Sequence, residues 1–158
     1  MKSFFVFLFC ILPFLYGAVT CPVQEIKSFT EKAETRGNSK LIFVCNGTDG
    51  TVNFTEAQNK FVLGKRLYSV RCFPTSGGSI ADDAILEVVN SRSWDLLGGF
   101  GVDLILASGQ EETSAYNKKM GGIWYPPFDD ENGYSLVISN LAGESNFTIE
   151  ISVVEELR

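Results

Sequence analysis

The sequence predicts a mainly β protein, a two-sheet antiparallel β-sandwich or jelly roll with one short N-terminal helix. Three observations carry this expectation. Short runs rich in Val, Ile, Leu, Phe and Tyr succeed one another from Leu41 to Val153. Turn dipeptides such as Asn46-Gly47 and Asp49-Gly50 separate them. The last two runs alternate cleanly, Tyr134-Leu136-Ile138 and then Phe147-Ile149-Ile151-Val153, as a sheet with one buried and one wet face requires.

In chain order, Lys2 precedes an apolar run from Phe4 to Tyr16, and the small residues Gly17 and Ala18 follow. This is the layout of a secretory leader, and the run is shorter than the about 20 residues needed to span a bilayer. Residues 1–17 are therefore expected to be a signal peptide and 18–158 a single extracellular domain. Pro22 suits a first helical turn, and Val23, Ile26, Phe29 and Ala33 recur at helical spacing before Gly37-Asn38, which predicts a helix over Pro22 to Arg36. Strands are expected at Leu41–Cys45, Thr51–Thr55, Lys60–Leu63, Arg66–Cys72, Ala84–Asn90, Phe100–Ala107, Ile123–Tyr125 and the two alternating runs. Gly98, Gly99 and Gly101 would let the chain bend into the Phe100 run; they lack the flanking strand and helix of a nucleotide loop.

The composition excludes several functions. The chain has no histidine, which rules out Ser-His-Asp and Cys-His catalysis and any His-ligated metal. Its formal net charge is −6, which argues against nucleic acid or an anionic membrane as the main partner. No cofactor motif is present, and neither a second long apolar run nor a lipid-anchor signal follows the leader.

Cys10 belongs to the leader, so Cys21, Cys45 and Cys72 remain. An odd number in an oxidising compartment means one bridge and one thiol left over. Cys45 and Cys72 both end strand-like runs on their apolar faces, which favours Cys45–Cys72. Cys21 would then be a free or intermolecular thiol, able to join a covalent homodimer. The alternative is Cys21–Cys45 with Cys72 buried. Sequons at Asn46, Asn53 and Asn146 agree with export.

The most conspicuous segment runs from Gly121 to Gly133, where Trp124, Tyr125 and Phe128 lie beside Asp129, Asp130 and Glu131. Flat rings stack on sugars and carboxylates accept from hydroxyls, so Trp124, Tyr125, Phe128, Asp129 and Asp130 are candidate ligand contacts. The plainer account makes the aromatics core and rim, with the acids solvating a turn. Acidic pairs at Asp82-Asp83, Glu111-Glu112 and Asp129-Asp130 make Asp83 and Asp129 calcium candidates, although no EF-hand spacing is present.

The run Asp83-Ala84-Ile85-Leu86-Glu87-Val88 resembles the D-x-L-E-V strand of CUB domains. The resemblance implies a secreted jelly roll that binds proteins or glycans, in some members through calcium, with Asp83 at the acidic position. The chain departs from that family in having no cysteine after Cys72, and in carrying Asp82 where an aromatic precedes the acid. The expected function is that of a secreted glycoprotein binding module, without catalytic residues, recognising an extracellular glycan or protein in defence or host interaction. Two alternatives stand beside it: a disulfide-linked extracellular scaffold, and a small carbohydrate-active hydrolase using paired carboxylates such as Glu87 or Asp103.

Overall fold

The structure, a computed structural model, describes residues 17–27, 39–75, 78, 80, 83–99, 101, 112–114, 125–141, 143 and 145–155. Their strands are β1 (Thr20–Lys27), β2 (Ser39–Gly47), β3 (Gly50–Asn53), β4 (Lys65–Pro74), β5 (Ile85–Asn90), β6 (Glu112–Ser114), β7 (Tyr134–Ser139) and β8 (Ser145–Glu155). One helix, α1 (Glu56–Val62), interrupts them. The strands form a five-stranded sheet in the order β1-β2-β8-β4-β6 and a three-stranded sheet in the order β3-β7-β5, with every pairing antiparallel.

Period-two patterning explains both sheets. On β8 the odd positions Phe147, Ile149, Ile151 and Val153 are buried, and on β7 so are Tyr134, Leu136 and Ile138. Leu41 and Phe43 of β2, Val70 of β4 and Leu86 and Val88 of β5 join them in one hydrophobic cluster fed by both sheets. The outward face of the large sheet is polar at its centre. Glu150 Oε2 accepts from Lys40 at 2.9 Å and from Arg71 at 3.5 Å, a pair of ion contacts that ties β2, β8 and β4 together.

Two expected elements are corrected. Pro22 to Lys27 belongs to β1, an edge strand and not the start of a helix; residues 28–38 lie outside the described set. An edge position tolerates Pro22, whose missing N–H interrupts no interior ladder. Lys60–Leu63, expected as strand, instead falls within and just after α1. Thr55 caps this helix: its hydroxyl accepts from Gln58 N while Gln58 Oε1 accepts from Thr55 N at 2.7 Å. That reciprocal pair satisfies two backbone donors at once, and Val62 anchors the other end in the core. The Phe100–Ala107 run lies outside the described residues apart from Gly101.

The disulfide is also corrected. Cys21 is bonded to Cys45, and Cys72 is a buried free thiol. Strand order gives the reason. β1 and β2 are neighbours, whereas β8 lies between β2 and β4 and pairs Cys45 with Phe147 and Cys72 with Ile149. Two strand spacings and a two-residue offset along β8 put Cys45 and Cys72 about 12 Å apart, beyond the reach of a bridge. With its sulfur taken by Cys45, Cys21 has no thiol for the covalent homodimer.

Candidate functional site

Three connections meet at one end of the small sheet, the end where Asn90 of β5 pairs with Tyr134 of β7. The first runs from Ser91 to Gly99. Asn90 Oδ1 accepts from Arg92 N and Trp94 N, both at 3.0 Å, and Asn90 O accepts from Ser93 N at 2.9 Å. Ser93 takes a positive φ of 60° to complete the turn. Asp95 then braces the way back: its carboxylate accepts from Val88 N, Leu97 N and Gly99 N. Short Asx side chains that bond nearby backbone are what make such turns rigid. Gly98 and Gly99 have positive φ, and Gly101 passes so close to Leu86 that a Cβ there would collide with the Leu86 carbonyl.

This bracing leaves Trp94 74% exposed, the most exposed large apolar side chain among the described residues. Its indole presents a large flat apolar face together with a polar N–H, the combination that tryptophan supplies at binding surfaces.

The second connection, Asp129 to Gly133, is bound to the first through Asp130. Its Oδ2 accepts from Ser91 Oγ at 2.6 Å and Ser91 N at 3.0 Å, while Oδ1 accepts from Asn132 N at 2.9 Å. These bonds favour the ionised form and hold the Asp130 pKa down to about 2, the Ser91 hydroxyl being the largest cause and the Asn132 amide the next. Tyr134 OH in turn accepts from Asp130 N at 2.6 Å. Asp129, Glu131, Asn132 and Arg92 remain exposed around this pair of turns. The third connection leads from β3 into α1. Asn59 Oδ1 accepts from Tyr134 N at 3.1 Å, and Ser135 Oγ donates to Asn53 Oδ1 at 2.8 Å.

The candidate ligand contacts are therefore divided. Asp129 and Asp130 sit at this loop cluster, with Asp130 acting as its brace. Phe128, expected to present its ring from a loop, is 0% exposed and packs edge-on against Tyr134 with ring centroids 4.9 Å apart. Tyr125 is half-buried beside Tyr68, and its carbonyl accepts from Arg66 Nη1 at 2.9 Å. Its segment runs along the open side of β4: Leu67 N donates to Pro126 O, and Phe128 N to Lys65 O. Trp124 lies outside the described residues, as do Asp82, Asp103 and Glu111.

Asp83 stands at the opposite end of the small sheet, where its carboxylate accepts from Asn140 Nδ2 at 2.8 Å. A six-residue strand, β5, separates that end from Asp129. At about 3.3 Å per residue the two carboxylates cannot share one cation. Among the described residues no three His, Cys, Asp or Glu side chains gather as a metal site. Glu87 is half-buried on β5 opposite Val137. Asn46, Asn53 and Asn146 are all exposed.

Trp94 was not foreseen from the sequence. The available signal was Asn90 and Asp95 bracketing four residues with no second apolar side chain to pack on, in the run Asn90-Ser91-Arg92-Ser93-Trp94-Asp95.

No protein-family model matches the chain, and searches of curated proteins and of solved structures find no match either.

Proposed function

We propose that this chain is a secreted, N-glycosylated binding module, a β-sandwich of jelly-roll type that recognises a hydroxyl-rich ligand, a glycan, through the loop cluster around Trp94. The observation that carries the reading is an exposed tryptophan held by a turn whose backbone is almost fully hydrogen-bonded. The turn beneath the ring is already ordered, so binding need not order that backbone, and flanking acids and an arginine supply hydrogen bonds to hydroxyls. Export is supported by the leader-like first 17 residues, by three sequons whose asparagines are exposed, and by a buried disulfide of the kind that persists in oxidising compartments.

The test is retention of the secreted protein on insoluble polysaccharides and on intact cells, with and without EDTA. Wild type should be retained, Trp94→Ala should lose retention while melting like wild type, and Trp94→Phe should keep part of it. Retention of Trp94→Ala equal to wild type would refute this site and move attention to Trp124.

A further inference from the structure

Two of the three sequons occupy one cross-strand position. Asn46 of β2 and Asn146 of β8 are direct partners in the antiparallel register, and both are exposed on the outward face of the large sheet. Side chains so placed have Cβ atoms about 4.5–5.5 Å apart. A pyranose ring is about as wide as that gap, so two sugars could stand there only by displacing each other.

The surroundings are not symmetric. Both asparagines lie on strands paired on both sides, β2 by β1 and β8 and β8 by β2 and β4, but the groups that approach them differ. Beyond β4, Thr75 N donates to Asn146 O at 3.1 Å, and Gly78 approaches so closely that a methyl there would meet the Asn146 Cβ. Asn46 stands opposite Thr20 of the edge strand β1, whose Oγ1 donates to its Oδ1 at 2.8 Å. Asn53 is on β3, an edge strand of the other sheet, and has no sequon beside it.

We propose that Asn46 and Asn146 are mutually exclusive glycosylation sites, with Asn46 filled first and Asn53 filled independently. This rests on the export reading above. In the transfer, the asparagine amide nitrogen displaces the pyrophosphate of a lipid-linked oligosaccharide from C1 of its first sugar. The C1–N bond forms, the C1–O bond breaks, the lipid pyrophosphate leaves, and the amide proton goes to a base of the transferase. That enzyme must take the acceptor peptide out of any ladder. Asn46 is synthesised well before β8 exists and meets the transferase unpaired. Asn146 arrives with its partner strand already made and has less time before pairing with β2 removes it from the transferase, and a chain filled at both positions cannot bring β2 against β8 and does not reach the secreted pool.

The full chain, secreted from a eukaryotic cell line, would be read by site-resolved glycopeptide mass spectrometry. Wild type should show sugar at Asn53 and Asn46 and little at Asn146. Asn46→Gln should raise Asn146 occupancy several-fold and leave Asn53 unchanged. Thr48→Ala, which removes the sequon but keeps Asn46 and its bond from Thr20, should do the same. Molecules filled at both Asn46 and Asn146, or an Asn146 occupancy indifferent to both substitutions, would overturn the proposal. Absence of sugar at Asn53 as well would instead overturn the export reading on which it stands.

Discussion

Replacing Phe128 by alanine separates a ring that packs from a ring that binds. Phe128 is completely buried, its edge contact with Tyr134 is 4.9 Å between centroids, and its backbone is pinned to Lys65 and Gly64. The pinned backbone limits how far the site can collapse into the space vacated. Phe-to-Ala substitutions in such sites cost about 3–5 kcal/mol, of which the aromatic pair contributes roughly 1. With a urea m-value of about 2 kcal/mol/M for a domain of this size, the midpoint should fall by about 2 M. Trp94→Ala serves as the control: at 74% exposure it should move stability by no more than about 0.5 kcal/mol. A Phe128→Ala protein that unfolds within about 1 kcal/mol of wild type, yet loses ligand, would refute the placement of this ring in the core.

Three further outcomes are expected. Replacing Cys21 and Cys45 by serine opens a bridge of sequence separation 24 and should cost about 3 kcal/mol by urea unfolding, whereas Cys72→Ser should leave the non-reducing gel unchanged. Burial pushes the Cys72 thiol up to about 12, so iodoacetamide should label it only after unfolding; rapid labelling of the folded protein would contradict its burial. Because the Asp130 pKa is depressed, its bonds to Ser91 contribute above the ordinary carboxylate pKa and are lost as the pH falls from about 4 through about 2. In a Trp124→Phe background, Trp94 fluorescence should change across that window, and Asp130→Asn should flatten the change. An identical acid titration in that variant would break the link between the two turns.

The strands that the sequence made legible are those with one wet and one buried face, above all β7 and β8, because alternation there has a single physical cause. The same logic misled at β1. Val23 and Ile26 fall at helical spacing by coincidence, and the edge position that excuses Pro22 is a property of sheet order, which no local pattern encodes. At α1 the signal was present and passed over: Thr55 followed three residues later by Gln58 is a capping box, masked by the apolar triplet Phe61-Val62-Leu63. The disulfide could not be settled locally, since it depends on β8 standing between β2 and β4. At the loop cluster, the acids at 129 and 130 were visible, but their tie to Ser91 and the stranding of Trp94 arise only when distant turns meet.

The placement of β8 also governs how the chain reaches this state. β2 and β4 each turn one edge toward β8 and do not pair with each other, so the large sheet has no centre until the strand furthest along the described chain is inserted. Until then two long apolar strands display unpaired backbone groups, an open template for a second chain. Insertion joins residues as far apart as Lys40 and Glu150, so the loop-closure entropy falls due before most of the core exists. Folding should therefore be slow for a domain of this size and sensitive to protein concentration, and truncation before Ser145 should yield a collapsed, association-prone chain in place of a smaller domain.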